Sequence, residues 1–448
     1  MLRWILGGRD AQGPVEKTTV LFIGEEQPKN SYTELQVLKG HFDIVRFLVQ
    51  IDDFRFASAG DDGLVLVWNV QTGERLRELR AHSQQVTAIA AFRTESSRGM
   101  IITASSDRTV SLWDTETGNR VQMVSELQSS VKCLLVLERL DVWLSGGNEL
   151  CVWNKHFELL CKTDCYKDAG VTAMIELPKN CIVAAVDKEL IVYRLIVSSS
   201  ETETSIQEIC RLTDHHDSVR TLISVNDQMF ASGSHVGELI VWDSLDWTIQ
   251  VYERIFWETA QTDSQPEIKL TSQKQNEMSI QHLTSDGEFV VAAVGNGLYI
   301  YNILTKNVVA YRRTAHDSNV LHSLLLPNRQ LMSCSEDGSV RMWELQDLPL
   351  PAEPASSGFF GMWGFGRSSK LASQQVKKVV ETPSLRTLEL TGDLIGHSGA
   401  VQMFLYFGDG SLVTCSTDHL IIVWRDGYKE SRLRSLALFH KLEQNQGL

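Results

Sequence analysis

The sequence predicts an all-β fold: an eight-bladed β-propeller that is closed by an N-terminal strand and followed by a short C-terminal helix. The main observation is a segment of alternating apolar residues that ends in Trp or Tyr and recurs eight times along 448 residues. Successive segments lie 40 to 59 residues apart, except for a last interval of 81. Most intervals match the roughly 40–45 residues of a four-stranded blade. The eight aromatic residues are Trp68, Trp113, Trp153, Tyr193, Trp242, Tyr301, Trp343 and Trp424.

Four units also repeat a set of four side chains. In each, the Trp is preceded six positions earlier by Asp, ten positions earlier by Ser or Thr, and further upstream by His. A buried indole N–H needs a hydrogen-bond partner, and a hydroxyl, an imidazole and a carboxylate can supply one as a chain. We interpret these residues as structural pins of the blades. The four sets are His41, Ser58, Asp62 and Trp68; His82, Thr103, Asp107 and Trp113; His316, Ser333, Asp337 and Trp343; and His397, Thr414, Asp418 and Trp424.

This order of residues resembles the WD-repeat family over about residues 33–424. The resemblance implies that a hydrogen-bond chain through these side chains holds one turn of each blade. The same residue types also form Ser-His-Asp catalytic triads. Because catalysis requires one exposed constellation and this set occurs four times, we predict a structural role, no catalytic residues and no enzymatic activity.

The remaining units depart from the pattern. Gly147 and Gly295 replace the Asp of units three and six, and Tyr193 and Tyr301 replace the Trp of units four and six. Val236 occupies the Asp position of unit five. Their apolar strands remain, so we count them as blades. A seven-bladed ring with one stray segment is the alternative.

Ring closure is predicted from the two ends of the repeat region. The last unit has no obvious strand after Trp424, and segment 33–38, ahead of the first His, supplies one. Pairing this segment with the last blade would remove two open strand edges. The predicted domains are a flexible arm over residues 1–32, the propeller over 33–428, and an amphipathic helix or tail over 429–448. Leu433, Leu436 and Phe439 recur at three-residue spacing in that helix, which either packs on the rim of the propeller or docks a partner.

Two insertions follow the third strand of a blade, so both are predicted to emerge on one face. Segment 198–205 is polar. The longer insertion, 346–385 in blade seven, is predicted to be disordered because of its prolines and polar residues. At its centre, five large apolar residues stand between glycines, which favours a docking motif for a partner's pocket. The alternative is that they fold back onto the propeller. These residues are Phe359, Phe360, Met362, Trp363 and Phe365.

Composition disfavours several kinds of partner. The formal net charge of −14 works against binding to nucleic acid or to an anionic membrane. No apolar stretch approaches the roughly 20 residues that a membrane helix needs, so direct membrane insertion is not expected. The eight cysteines lie mostly in strand-like runs, which suits a reducing cytoplasm. Cys161 and Cys165 have no matching pair at zinc-site spacing, so we predict no metal and no cofactor.

A more specific resemblance extends over essentially the whole chain. The strings Glu336-Asp-Gly-Ser-Val-Arg341 and Gly358-Phe-Phe-Gly-Met-Trp-Gly-Phe-Gly-Arg367 are similar to those of one family of WD-repeat adaptors. The resemblance implies a heterotrimer with two longin/DENN-domain proteins, or a dimer of it. Such an assembly acts on small GTPases of the Rab and Arf types in autophagy and lysosomal nutrient signalling.

The same resemblance assigns roles to particular residues. The aromatic insertion would dock onto a lysosomal PQ-loop transporter of cationic amino acids, which would recruit the cytoplasmic protein to lysosomes. The N-terminal strand and the C-terminal helix would face the DENN partner. The tentative contacts there are Leu35, Val37, Leu433, Leu436 and Phe439.

The strongest rival function is that of a substrate receptor of a cullin ubiquitin ligase. Such propellers often carry Trp-Asp-x-Arg after a blade, but Trp113-Asp114 and Trp242-Asp243 are followed by Thr-Glu and Ser-Leu. Co-purification with cullin adaptors would favour this rival. A propeller hydrolase or sugar-binding enzyme would instead need several acidic groups that converge at the central channel.

Overall fold

The structure is a computed structural model that describes residues 32–93, 99–125, 127–164, 166, 169–197, 204–255, 278–326, 329–347 and 386–445. Within these residues, 32 strands form eight four-stranded antiparallel sheets. The predicted eight-bladed propeller is therefore confirmed, and the seven-bladed alternative is wrong.

Blades one to four each use four consecutive strands. Blade one contains β2 (Val45–Gln50), β3 (Arg55–Gly60), β4 (Leu64–Asn69) and β5 (Arg75–Arg80). Blade two contains β6 (Val86–Arg93), β7 (Gly99–Ser105), β8 (Val110–Asp114) and β9 (Arg120–Val124). Blade three contains β10 (Cys133–Leu137), a 3-10 turn (Glu138–Leu140), β11 (Val142–Gly146), β12 (Leu150–Asn154) and β13 (Leu159–Lys162). Blade four contains β14 (Val171–Leu177), β15 (Cys181–Val186), β16 (Glu189–Ile196) and β17 (Ser205–Leu212).

Blades five to seven follow the same order, and blade eight takes one strand from the start of the chain. Blade five contains β18 (Val219–Asn226), β19 (Met229–Ser234), β20 (Glu238–Asp243) and β21 (Ile249–Arg254). Blade six contains β22 (Ile280–Ser285), β23 (Phe289–Val294), β24 (Gly297–Asn302) and β25 (Asn307–Arg312). Blade seven contains β26 (Val320–Leu325), β27 (Gln330–Ser335), β28 (Ser339–Asp347) and β29 (Arg386–Ile395). Blade eight contains β30 (Val401–Tyr406), β31 (Leu412–Ser416), β32 (Ile421–Asp426) and β1 (Tyr32–Leu38).

Burial follows the position of a strand in its blade. The second and third strands are sandwiched between neighbouring blades and are apolar, as in β15 and β23, whose residues are all buried. In outer strands such as β5, most side chains are exposed. The core lies between blades; in one cluster, Phe289 of blade six packs with Leu331 and Trp343 of blade seven. Each blade thus needs a neighbour on both sides.

The eight inner strands form the closed ring. Each contacts the inner strand of the next blade, and β30 contacts β2 to complete the circle. These strands surround a central channel. All of them begin at the same face, which we call the upper face; it also bears the loops that lead into each blade.

The first strand of the chain closes the last blade. β1 pairs with β32 in antiparallel register, with Leu35 opposite Trp424 and Val37 opposite Ile422. The predicted closing strand is confirmed, and it begins one residue earlier than expected, at Tyr32. Because β1 covers the free edge of β32, the ring has no gap between its two ends.

The C-terminal helix and the insertions also have observed bounds. α1 (Gly427–Asn445) begins two residues before the predicted position and follows β32 without a loop. The insertion predicted to start at residue 346 starts later, because Gln346 and Asp347 extend β28 and pair with Thr387 and Arg386. Segments 198–203, 256–277 and 348–385 lie outside the described residues. The sequence reasoning did not identify the second of these, which joins blades five and six.

Candidate functional site

In blade one, the four predicted side chains form one continuous hydrogen-bond chain. The indole Nε1–H of Trp68 donates to Ser58 Oγ at 2.9 Å. The same hydroxyl lies 2.8 Å from His41 Nε2, and His41 Nδ1 lies 2.8 Å from Asp62 Oδ2. A neutral imidazole that donates from Nδ1 and accepts at Nε2 satisfies every member.

Blades two, seven and eight repeat this chain with nearly the same distances. The three contacts, in the order Trp to hydroxyl, hydroxyl to His, and His to Asp, share one geometry. They measure 3.1, 2.9 and 3.2 Å for Trp113, Thr103, His82 and Asp107; 2.8, 2.8 and 3.0 Å for Trp343, Ser333, His316 and Asp337; and 2.9, 2.7 and 3.0 Å for Trp424, Thr414, His397 and Asp418.

The Asp residue of each chain also organises the loop that enters its blade. Asp62 accepts the backbone N–H groups of Phe42 and Leu64. Burial raises the pKa of the Asp62 carboxyl, but the bonds from His41 and from these N–H groups more than offset burial and lower it below its ordinary value. The carboxylate therefore stays ionised and joins the loop to the turn.

These chains are closed to substrate. The hydroxyl-bearing residues Ser58, Thr103, Ser333 and Thr414 are all 0% exposed. A nucleophilic hydroxyl must reach a substrate carbonyl, and none of these four does. The geometry is that of a buried structural brace repeated around the ring.

Blade five carries the same brace with a different acid. Trp242 Nε1 donates to Ser232 Oγ at 2.8 Å, and that hydroxyl lies 2.7 Å from His215 Nε2. The acid is Glu238, whose Oε2 lies 3.3 Å from His215 Nδ1. Position 236, where the sequence pattern places an Asp, is Val. Sequence reasoning missed Glu238 because it lies on the strand, two residues after the expected turn position.

The Glu238 carboxylate is the most heavily bonded acid of the five braces. It accepts His216 N–H at 3.0 Å, His216 Nδ1 at 2.6 Å, the Tyr252 hydroxyl at 2.9 Å and the Ser234 hydroxyl at 3.1 Å. Burial raises its pKa, whereas these donors and His215 lower it to about 2. The longer side chain of Glu thus replaces Asp from a different backbone position.

Blades three and four use other contacts in place of the full brace. Trp153 Nε1 donates to Ser145 Oγ at 2.9 Å, and its ring stacks on Trp143 at 5.2 Å between centroids. In blade four the hydroxyl of Tyr193 bonds to the hydroxyl of Tyr166 from the entering loop. Burial, with that bond, raises the pKa of the Tyr193 phenol. No histidine takes part in these contacts of blades three and four.

Two partly exposed histidines with closely packed rings join the inner strands of blades six and seven. The rings of His282 and His322 lie 4.0 Å apart between centroids, and the ring of His322 also meets Phe404 of blade eight at 4.8 Å. Nδ1 of His322 is buried without a hydrogen-bond partner among the described residues. Burial lowers the pKa of His282 to about 4 and that of His322 well below its ordinary value. This pair could not be predicted from the repeat pattern, since neither residue belongs to the repeated set.

The N-terminal strand and the C-terminal helix present an exposed apolar surface beside the closing seam. α1 contacts β1, and Arg434 binds both oxygens of Glu34 at 2.9 and 2.5 Å. Four of the five predicted DENN contacts are 41% to 51% exposed; these four define what we call the seam surface, and they are Leu35, Val37, Leu433 and Leu436. The side chain of Phe439 lies outside the described residues, as do Phe359, Phe360, Met362, Trp363 and Phe365 of the predicted docking motif.

The part of the chain that the structure describes contains no cluster of three or more His, Cys, Asp or Glu side chains arranged to hold a metal ion. None of its helices has the length and apolar character required to cross a membrane.

Comparison with known proteins gives matches over the whole chain. The family described as WDR41, a β-propeller family, matches residues 1–434. WD repeat-containing protein 41 of Homo sapiens is 60% identical over all of this chain and 99% of its own length. The Mus musculus protein of the same name is 58% identical with the same coverage. The crystal structure of the computationally designed Ika8 protein superposes with a TM-score of 0.62 at 20% identity, covering 87% of this chain and 98% of that chain, which supports the fold alone.

Proposed function

The chain belongs to the WDR41 β-propeller family of scaffold proteins, and from this we propose that it is the non-catalytic adaptor subunit of a longin/DENN-domain complex. In this proposal the complex regulates small GTPases of the Rab or Arf type in autophagy and lysosomal nutrient signalling. The adaptor holds the complex together and recruits it to lysosomes from the cytoplasm.

The observation that carries the proposal is the seam surface. β1, which exposes Leu35 and Val37, contacts α1, which exposes Leu433 and Leu436. Apolar side chains that remain about half exposed on a folded ring favour burial by a partner. The two elements come from opposite ends of the chain, so a partner bound there would also hold the closed ring together. We assign this surface to the DENN-domain protein.

The proposed lysosomal contact is separate from the seam surface. It uses the aromatic motif 359–365 in the insertion between β28 and β29, on blade seven. Large aromatic side chains contribute much of the binding energy when they enter a partner's pocket. The proposed occupant of the motif is a PQ-loop transporter of cationic amino acids. Two independent contacts on one rigid ring would hold the complex at the membrane at high effective concentration.

Paired substitutions at the seam surface test the DENN contact. When the double variant Leu433→Asp/Leu436→Asp is expressed with the two longin/DENN-domain proteins, these partners should no longer be recovered with it in affinity purification. Leu304→Asp is the matched control, because Leu304 is 72% exposed on a turn of blade six. Full recovery of both partners with the double variant would refute the assignment.

Removal of the aromatic motif tests the second contact. Deleting residues 357–367 should abolish recovery of the transporter and leave recovery of the DENN-domain proteins unchanged. We also expect the purified chain alone not to accelerate GTP hydrolysis. Unchanged transporter recovery would contradict the docking role, and GTP turnover by the isolated chain would contradict the adaptor role.

A further inference from the structure

The inner strands place a ring of eight side chains at the upper mouth of the central channel. Each inner strand is entered through a buried Val or Ile, and the next residue lies at the mouth. In seven of the eight blades the backbone shifts register just after the entry residue, as between Val45 and Phe47 in blade one. In blade three, Val131 and Lys132 come just before β10. We call these second residues the mouth ring: Arg46, Thr87, Lys132, Thr172, Arg220, Gln281, Leu321 and Gln402.

The mouth ring is basic, although the chain is acidic. It contains three cations and no carboxylate, in a protein with a formal net charge of −14. Arg46 is neutralised by Asp61, which it binds through Nε at 2.6 Å and through a terminal nitrogen at 2.7 Å. Lys132 and Arg220 are exposed, and their side chains form no hydrogen bond or ion pair with any other described residue. Two free positive charges therefore remain on blades three and five.

Two carboxylates on the turns beside these cations have partners of their own. Asp187, at the turn of blade four, accepts the Ser218 hydroxyl at 2.6 Å. Glu149, at the turn of blade three, binds Lys162 at 3.0 Å. Concave sites lined by one sign of charge concentrate the field that attracts a ligand. The free cations at the mouth thus favour an anionic ligand.

The spacing of the cations selects an extended ligand. Lys132 and Arg220 are separated by the whole of blade four, whose mouth residue is the exposed Thr172. A single compact anion would meet one cation and leave the other in solvent. A chain with several carboxylates can meet both, and Arg binds carboxylate through two parallel N–H groups.

We infer that the upper mouth of the channel, over blades three to five, binds an extended acidic segment of a partner protein. Its carboxylates pair with Lys132 and Arg220, and the segment passes over Thr172. This surface shares no residue with the seam surface, so the inference does not depend on the proposed DENN contact.

A fluorescence-anisotropy titration of the full chain tests the inference. The probe is a fluorescein-labelled peptide of alternating Glu and Ser, with a peptide of alternating Gln and Ser as the neutral control. The Glu peptide should bind, more weakly as salt is raised, and the Gln peptide should not. The double variant Lys132→Glu/Arg220→Glu should weaken binding about tenfold or more.

A second double variant separates site binding from general charge attraction. Arg80→Glu/Lys155→Glu makes the same change in net charge at exposed positions away from the mouth ring, and it should stay within about twofold of the unchanged protein. Thr172→Glu adds one negative charge between the two cations and should also weaken binding, which covers the case in which the first double variant does not fold.

Three results would overturn the inference. One is the absence of binding to the Glu peptide up to about 1 mM, an affinity of roughly 4 kcal/mol. Another is an equal loss of affinity in both double variants. The third is tighter binding to a single-stranded oligothymidylate than to the Glu peptide, which would assign the mouth to nucleic acid.

Discussion

Glu238 Oε2 lies 3.3 Å from His215 Nδ1 in blade five, so a glutamate on a strand serves where the other braced blades use an aspartate in a turn. The same carboxylate accepts three further side-chain donors, from His216, Tyr252 and Ser234. The hydrogen bonds of blade five therefore converge on a single carboxylate to a greater extent than those of any other braced blade.

Replacing Glu238 should strongly destabilise blade five. Glu238→Ala leaves the buried N–H of His215 and its neighbours without an acceptor. We expect the free energy of unfolding to fall by about 2–4 kcal/mol, measured by urea denaturation. Glu189→Ala is the control, because Glu189 forms a partly exposed pair with Arg211 at 3.3 Å; pairs of this kind contribute about 0–1 kcal/mol. Equal effects of the two changes would contradict the role given to Glu238.

The hydroxyl at the centre of each brace should be replaceable only by another hydroxyl. Ser333→Ala in blade seven removes the group that joins Trp343 Nε1 and His316 Nε2, both at 2.8 Å. The expected cost is about 1–3 kcal/mol, again from urea denaturation. Ser333→Thr should lose less than half as much, since Thr occupies this position in blades two and eight. If the Thr variant is as unstable as the Ala variant, packing and not the hydrogen bond holds this blade.

Removal of the closing strand should open the ring. A variant that lacks residues 1–38 exposes the edge of β32 and the apolar residues that β1 covers. We expect a lower melting temperature and concentration-dependent association through the free edge, measured by differential scanning fluorimetry and light scattering. A variant that lacks residues 1–31 keeps β1 and should match the full chain. A monomeric 1–38 deletion that melts at the temperature of the full chain would contradict closure by this strand.

As the pH is lowered, the free energy of unfolding should begin to fall at a pH above the range in which carboxylates become protonated. Burial lowers the pKa of His82, His215 and His397, lowers that of His282 to about 4, and lowers that of His322 well below its ordinary value. A histidine with a lowered folded pKa binds its proton only after unfolding, so the stability is complete above about pH 6.5 and falls as pH drops below that value. Each such histidine contributes a slope of at most about 1.4 kcal/mol per pH unit.

The histidine pair at blades six and seven allows a direct check of this pH dependence. Urea denaturation at several pH values should show a shallower decline below pH 6.5 for His282→Gln/His322→Gln than for the unchanged chain. His156→Gln, at an exposed histidine, should leave the slope unchanged. An unaltered slope in the double variant would mean that these two histidines are not the source of the acid sensitivity.

The eight-bladed architecture could be predicted from the sequence because its residue pattern recurs along the chain. Eight aromatic positions at blade spacing predicted eight sheets, and the lack of a strand after Trp424 predicted that an early segment closes the ring. Both predictions are confirmed. The end of β28 and the start of α1 were each misplaced by two residues, because strand pairing and helix growth continue until a backbone partner is lost.

The side-chain contacts that could not be predicted from the sequence depend on distances in the folded ring. Glu238 reaches His215 from a shifted position because its side chain is one methylene longer than that of Asp. Ser145 serves Trp153 from eight positions away, where the pattern requires ten. The contact between His282 and His322 arises only once two blades are adjacent. Such contacts depend on side-chain reach across the packed ring, which a linear spacing rule does not encode.

The pairing of β1 with β32 also determines when the ring can close during synthesis. β1 is made before the other described strands and pairs with β32, which is made after them, so closure must wait until β32 has been synthesised. Until then the first and the newest blade each have an apolar face without a neighbour. We therefore expect its folding yield in cells to depend on chaperones more than that of a linear repeat protein, whose units can lock together as they emerge.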